Sequence, residues 1–337
     1  MKKIVSNAVN LSVSLIISAV ILYFVYRDYD FSQFWASVAE IKVGWLCAAL
    51  LFSIMGPLLR GVRWNLLLDP IGYRVPQRDA VLTVFTGYAA NIIIPRIGEI
   101  CRCAILDRNN KVPFIKSCGT LVAERFVDFI LLVLITLSTV IIQYDKFAAL
   151  FSGQAGISSD SASSAIEEAA GSTPLLQTTG FWLWTAGGII LIAVIWILCR
   201  KTGLWKRIIG WAKDFWTGFA AIRQVKNLPL FLIYSIGIWV CYYLEMYLAF
   251  FCISSIAEVG AMAGLVCFVA GSIAVLVPTP NGAGPWHFAI TSMLVIYGVA
   301  LADAQTFALV LHTAQTATYL ICGALAWIAL PRHTTVQ

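Results

Sequence analysis

A chain of 337 residues that is 60% hydrophobic and only 12% charged lacks the polar surface of a soluble domain, in which about a quarter of the residues are charged. The net charge is +6, and the Lys and Arg residues cluster in a few loops, so the sequence offers no basic face of a folded soluble domain that could bind nucleic acid. Length and composition therefore predict a single integral membrane domain over residues 1–337 and exclude a soluble enzyme.

Six apolar stretches are long enough to span a hydrocarbon core of about 30 Å, which takes about 20 residues of helix. They lie at 9–26, 43–59, 126–143, 181–199, 230–252 and 306–330. The first follows Lys2 and Lys3, is too long for a signal peptide and lacks a small-residue cleavage site, so we expect it to be retained. The two lysines place the N-terminus in the cytoplasm.

The first half threads through the membrane by the positive-inside rule. Loop 27–42 carries more acidic than basic residues and is predicted outside. Four arginines after the second crossing return the chain to the cytoplasm: Arg60, Arg63, Arg74 and Arg78. The apolar stretch 80–95 ends at a proline and precedes five more basic residues, which a full crossing would place outside. A re-entrant hairpin, which returns them to the cytoplasm, is therefore predicted.

The second half begins after an acidic segment, 144–178, whose middle is rich in Ser, Ala and Gly and is predicted to be an outer linker. Crossing 181–199 leads to the basic segment 200–226, where Trp and Phe alternate with Lys and Arg. This pattern favours an amphipathic helix on the cytoplasmic leaflet over an ordinary basic loop. Stretches 259–277 and 285–297 then enter and leave from the outside, either as a re-entrant pair or as two full helices.

The two halves share one plan in opposite orientations. Residues 1–143 and 179–337 each contain two crossings, a proline-broken element and a closing crossing. Phe85 and Pro95 are separated by nine residues, as are Phe268 and Pro278. The predicted fold is an all-α polytopic membrane protein of two inverted-topology repeats, with about six full crossings, two re-entrant elements and both termini cytoplasmic.

The turns of the two broken elements combine helix breakers with polar residues. The first supplies Asn91, Pro95, Arg96, Gly98, Glu99 and Arg102; the second supplies Pro278, Pro280, Asn281, Gly282, Gly284 and His287. Broken backbone at membrane depth persists where protein or a watery cavity satisfies its polar groups, and helix N-termini pointing inward favour an anion. These residues are predicted to bind a lipid headgroup; plain solvated turns are the alternative.

Two further groups of charges lie in apolar surroundings. Glu124 and Asp128 are four residues apart and share one helix face, with Arg125 beside them. They are predicted to contact a headgroup or, as an equal alternative, to pin the first hairpin by pairing with Arg96 or Arg102. Glu245 has no charged neighbour in sequence and is a candidate for proton coupling or headgroup contact. A protonated Glu that is hydrogen-bonded across helices to a Tyr is the alternative.

The remaining motifs carry no catalytic prediction. Nine cysteines are spread mostly singly, and Cys101 with Cys103 has no second pair at zinc-site spacing, so neither a metal nor a disulfide is predicted. Hydrolase, metalloprotease and nucleotide-binding signatures are missing from the sequence. We therefore predict no cofactor, favour a non-enzymatic role over an enzymatic one, and expect transport that runs downhill or on a gradient.

A family resemblance rests on these same residues. Asn91, Pro95, Gly98, Glu99 and Arg102, then Glu124, Arg125 and Asp128, then Pro278, Pro280, Asn281, Gly282 and Gly284 resemble the motifs of the lysylphosphatidylglycerol synthase transmembrane-region family of flippase-like proteins. The resemblance covers nearly the whole chain. It implies a plasma-membrane (inner-membrane) protein of bacteria or archaea related to the lipid-flipping part of aminoacyl-phosphatidylglycerol synthases. No aminoacyltransferase domain accompanies it here, so synthase activity is not expected.

The sequence departs from the family pattern at Trp286 and His287, where a glutamate is usual, so the resemblance does not name the headgroup. The leading hypothesis is a protein that moves a phospholipid or lipid-linked precursor between leaflets, with turns at Pro95 and Pro278 meeting near the midplane. A membrane-embedded lipid-modifying transferase, or its lipid-presenting subunit, is one alternative, and an envelope scaffold is another. The expected partner is a lipid with an anionic or polyprenyl-linked headgroup; a second copy or an envelope-synthesis enzyme stays open.

Overall fold

A computed structural model describes residues 2–144 and 204–331, and within these ranges all regular structure is helical. The predicted crossing 181–199 and nearly all of the predicted linker 144–178 lie outside the described residues. The chain divides into a larger unit, Met1–Ile142 with Phe215–Gln337, and a smaller one, Gln143–Asp214. The architecture and the site below belong to the larger unit.

Twelve α-helices occur in the described ranges. They are α1 Lys2–Tyr26, α2 Phe31–Ala39, α3 Val43–Leu68, α4 Gln77–Ile93, α5 Ile97–Asn110, α6 Phe114–Ile142, α7 Leu204–Ala220, α8 Leu228–Phe250, α9 Ser254–Ala257, α10 Ala261–Ala274, α11 Pro285–Ile296 and α12 Leu301–Ala329. Four of them, α3, α6, α8 and α12, are long and apolar enough to cross a membrane. Helix α7 coincides with the predicted amphipathic segment.

Two of the predicted boundaries are wrong. Helix α3 continues to Leu68 instead of ending at residue 59, so Arg60 and Arg63 are buried inside it and do not belong to a loop. Helix α6 begins at Phe114, twelve residues before the predicted start, which places Glu124 in its interior. Both corrections have one cause: Arg60 and Arg63 of α3 form ion pairs with carboxylates of α6. Because the charges are paired, they can stay in the apolar interior and neither helix has to end to expose them to water.

Helices α3 and α8 form the centre of the larger unit and run antiparallel. Gly56 lies against the ring of Tyr242, where an added Cβ would collide with the ring. Seven residues further along α3 and seven back along α8, Arg63 Nη1 donates to Ser235 Oγ at 3.0 Å. This register fixes which residues of the two helices lie level.

The first broken element is a helical hairpin made of α4 and α5. The chain reverses at Ile94, Pro95 and Arg96, with Arg96 in the left-handed region at a φ of 61°. Asn91 Oδ1 accepts a hydrogen bond from the amide of Gly98 at 2.6 Å and closes the turn. At the open end of the hairpin, Asn110 Nδ2 donates to Asp79 Oδ2 at 2.9 Å, so α5 returns to the level at which α4 began.

The second broken element consists of α10, the turn 275–284 and α11. Two glycines of the turn have positive φ values, 74° at Gly282 and 93° at Gly284, which a larger residue adopts only with strain. Helix α1 satisfies two carbonyls of this turn, because Ser14 Oγ donates to Pro278 O at 2.6 Å and Ser18 Oγ to Ala283 O at 2.8 Å. Two carbonyls of this broken element are thus hydrogen-bonded by protein side chains.

The larger unit has two ends of opposite charge. At one end, here the basic end, Lys226 lies 2.8 Å from Asp69, and this hydrogen bond lowers the pKa of the Asp69 carboxyl. Its further basic residues are Arg74, Arg78, Arg108, Lys111, Lys116 and Arg223. At the acidic end, Ser255 Oγ donates to Asp303 Oδ2 at 2.6 Å. Its further carboxylates are Asp28, Asp30, Glu40 and Glu258.

Candidate functional site

A cavity of about 530 Å³ lies among α3, α4, α6, α8, α10, α11 and α12. Most of its wall is apolar or aromatic, as expected of a pocket that receives an organic ligand. The charged, amide and imidazole side chains that line it include Arg60, Arg125, Asp128, Glu245, Asn281 and His312. The cavity is therefore apolar with a few convergent polar groups.

One side of the cavity is formed by a buried ion-pair cluster built on α6. Glu124 and Asp128 lie one turn apart, and Arg60 Nη1 donates to both, at 2.8 Å to Glu124 Oε1 and 2.5 Å to Asp128 Oδ2. Arg63 adds a contact of 2.7 Å between its Nη1 and Asp128 Oδ1. Glu124 and Arg63 are completely buried. These contacts join α3 to α6 through groups that are expensive to bury alone.

Two more arginines complete this cluster. Arg102 Nη2 donates to Glu124 Oε2 at 3.0 Å, and its guanidinium lies 4.2 Å from the ring centroid of Trp64. Arg125 approaches the same carboxylates at longer range, 3.6 Å to Glu124 and 3.8 Å to Asp128. Within the described residues, four guanidiniums thus share two carboxylates, which leaves a surplus of two positive charges beside the cavity.

Arg125 is the member of the cluster that is best placed to meet a ligand. Its side chain is 39% exposed and lines the cavity, whereas those of Arg63 and Arg102 are buried and do not. No hydrogen bond to Arg125 occurs among the residues that the structure describes, since both of its carboxylate distances exceed 3.5 Å. Its guanidinium therefore keeps donors for an anion.

The turns of the two hairpins meet beside the cavity. Arg96 Nη2 donates to the carbonyl of Leu276 at 2.6 Å and so joins the first turn to the second. Asn281, which lines the cavity, donates through Nδ2 to Thr316 Oγ1 at 2.7 Å, and its carbonyl lies 3.1 Å from His312 Nε2. Both turns are thus held against each other and against α12.

Glu245 lines the same cavity from α8. Its Oε1 accepts a hydrogen bond from Gln315 Nε2 at 2.6 Å. Tyr242, one turn earlier on the same face, shares a hydrogen bond of 2.6 Å with the hydroxyl of Tyr88. No ion pair to Glu245 occurs in the described part of the chain, so a neutral amide supports this carboxylate.

A comparison with known protein families identifies the family of this chain. The family model described as the lysylphosphatidylglycerol synthase TM region matches residues 11–323. The chain belongs to this family. The resemblance noted in the sequence is thereby confirmed, and together with four long apolar helices it identifies a multi-pass membrane protein. No curated protein matches the chain.

In this member of the lysylphosphatidylglycerol synthase TM-region family, four of the predicted site residues line the cavity: Arg125, Asp128, Glu245 and Asn281. The others support its walls or lie apart from it. Of the two pairings that the sequence left open, Arg102 pairs with Glu124, whereas Arg96 bonds a backbone carbonyl and, in the described part of the chain, no carboxylate. His287 is buried against the ring of His312, at a centroid distance of 4.4 Å, and its Nδ1 lies 3.4 Å from the amide of Gly284.

The turn residues of the family motif mainly shape and stabilise the two turns. Asn91 and Gly98 close the first turn, and Gly282 and Gly284 shape the second. Other members of the predicted set are not among the residues that line the cavity: Pro95, Glu99, Glu124, Pro278 and Pro280. Trp286, at the departure from the family pattern, contributes its ring to the cavity wall.

Sequence reasoning missed Arg60, Tyr88, Tyr242 and Gln315 as lining residues. Arg60 and Arg63 are three residues apart, a helical spacing that continues the pattern of 43–59, so the sequence did indicate that the helix extends to them. No pattern in the sequence indicated that Tyr88, Tyr242 and Gln315 line a cavity, because apolar helices of this kind hold many such residues that face lipid or other helices.

Proposed function

We propose that this protein moves a phospholipid between the leaflets of the membrane, with the headgroup held in the central cavity. The proposal rests mainly on one observation: the cavity lies inside a helical membrane protein and is bordered by an arginine cluster with two excess positive charges. Family membership supports a role connected with membrane lipids.

The phosphate of the headgroup binds at Arg125, with Arg60 beside it. Guanidinium groups bind phosphate oxygens through strong, charge-assisted hydrogen bonds. Asp128 and Glu124 hold the arginines in place but do not neutralise all four of them. An anionic phosphate, with one negative charge, would therefore lower the surplus of the cluster from two positive charges to one.

The two hairpins form re-entrant elements of inverted repeats in this proposal. Helix α4 has 17 residues and α10 has 14, so they rise about 25 Å and 21 Å, less than the ~30 Å of a hydrocarbon core. The Arg96–Leu276 contact between their turns supports an arrangement in which they enter from opposite ends. Alternating access would then follow from rocking of one repeat against the other.

The basic end faces the cytoplasm, and both termini with it, because basic loops are retained on that side. A cysteine at Gln224, at the basic end, should be protected from an impermeant maleimide in intact cells and react after permeabilisation. A cysteine at Ser254, at the acidic end, should react in intact cells. Both variants are made in a background without native cysteines, and the reverse pattern would contradict the orientation.

Reconstitution tests the function directly. Purified protein in liposomes with fluorescent phospholipids in both leaflets should make the inner-leaflet lipid accessible to a membrane-impermeant quencher, and protein-free liposomes should not. Mass spectrometry of the lipids before and after the assay provides the control. Exchange without a change in lipid mass supports the proposal, new lipid species would support a transferase, and neither result would support a scaffold.

A further inference from the structure

We infer that the cavity selects a headgroup that carries an ammonium group as well as a phosphate, and that Glu245 is the residue that binds the ammonium. This inference rests on the proposed function, since it names the class of lipid that the same cavity holds. The expected ligand is a zwitterionic phospholipid with a short linker between its two charges.

The first argument is the separation of opposite charges within one cavity. Gly56 lies against Tyr242, so in antiparallel register Glu245 lies level with Ser53, seven residues from Arg60. Seven residues of helix correspond to roughly 10 Å along the axis. Both side chains lean toward the N-terminus of their own helix, and therefore toward each other. One headgroup can reach from the arginines to the carboxylate.

The second argument is that Glu245 has no cationic partner within the described residues. Its hydrogen-bond partner, Gln315, is neutral, and the arginine cluster pairs with Glu124 and Asp128 instead. Glu245 is only 4% exposed, so bulk water does not solvate it. A buried carboxylate without a cation is costly, and a ligand ammonium removes that cost where no protein cation does.

The third argument is the aromatic wall that surrounds this part of the cavity. Trp239, Tyr242 and Glu245 follow at intervals of three on one face of α8, and all three line the cavity. Phe268 packs on Trp239 at a centroid distance of 5.9 Å, and Tyr319 lines the cavity from α12. Aromatic rings beside a carboxylate are the usual surroundings of a bound organic ammonium.

An unpaired donor supports a ligand at the same place. Trp239 Nε1 is buried and has no hydrogen-bond partner among the described residues. An indole N–H left unpaired in an apolar interior destabilises the folded state, whereas a headgroup oxygen in the cavity would accept its hydrogen bond. In the antiparallel register Trp239 lies level with Leu59, next to Arg60, so it would bind the headgroup near its phosphate.

The experiment measures binding of two lipids to the full-length protein in detergent by titration calorimetry. The probes are short-chain phosphatidylethanolamine and phosphatidylglycerol with identical acyl chains, at constant pH. Wild type should bind the ethanolamine lipid about tenfold more tightly, the value of one charge-assisted hydrogen bond. Glu245→Gln keeps the size of the side chain and should remove this preference by weakening the binding of phosphatidylethanolamine.

Glu258→Gln, at the exposed acidic end, is the matched control and should behave as wild type. Equal affinities of wild type for the two lipids, with both weakened by Arg125→Gln, would overturn the ammonium site but not the headgroup cavity. Binding of neither lipid would count against the cavity itself and hence against the proposed function. A preference that persists in Glu245→Gln, together with a loss of pH-gradient dependence in liposomes, would assign Glu245 to proton coupling instead.

Discussion

Replacement of Glu124 by alanine should destabilise the protein by about 3–5 kcal/mol, because it leaves buried arginines without a partner. Glu124 is completely buried and lies within 3.0 Å of both Arg60 and Arg102. Its loss raises the surplus of buried positive charge from two to three. Thermal unfolding can be followed by a thiol-reactive dye, since cysteines such as Cys103 and Cys267 are buried in the native state. The midpoint should fall by roughly 10 °C.

A double-mutant cycle separates the ion pair from general packing. Glu124→Gln combined with Arg102→Gln removes one charge of each sign and should be more stable than Glu124→Gln alone. Glu258→Ala, which removes an exposed carboxylate, serves as the control and should change the midpoint little. If Glu124→Ala unfolds at the wild-type temperature, the cluster does not stabilise the fold.

Replacement of Arg125 by glutamine should reduce lipid exchange by about 10- to 100-fold, the range that corresponds to losing a hydrogen bond to a charged group. The thermal midpoint should stay close to that of wild type, because Arg125 is 39% exposed and its carboxylate contacts exceed 3.5 Å. Exchange is measured in the liposome assay with a fluorescent phospholipid. Arg125→Lys should recover part of the activity, since it keeps the charge but loses the planar fork.

Arg108→Gln is the matched control, because Arg108 is exposed at the basic end and lies outside the cavity. It should exchange lipid at the wild-type rate. If Arg125→Gln exchanges lipid at the wild-type rate, the proposal that the phosphate binds at Arg125 is wrong. The same assay also tests the original prediction for Arg102, which the sequence assigned to the headgroup. Because Arg102 is buried between Glu124 and Trp64, we expect its replacement to lower stability.

The sequence by itself predicted the features that depend on local chemistry. Apolar length predicted four long apolar helices of the described residues, α3, α6, α8 and α12. Pro95 and the run 278–285 predicted where two helices break, since proline lacks an amide donor and glycine permits positive φ. The family motif could be read from the same residues. The sequence also singled out Glu245 and the pair Glu124 and Asp128, because a carboxylate in an apolar stretch is conspicuous.

Only the tertiary structure decided which of these groups face one another. Hydropathy ends a membrane helix at an arginine, yet Arg60 and Arg63 stay inside α3 because the carboxylates that pair with them lie more than sixty residues later in the chain. The cavity depends on contacts of the same kind, such as Tyr88 with Tyr242 and Gln315 with Glu245. A sequence identifies the residue types that can bind a headgroup. Which of them line the cavity is decided by helix packing, because that packing brings residues distant in the chain within hydrogen-bond distance of each other.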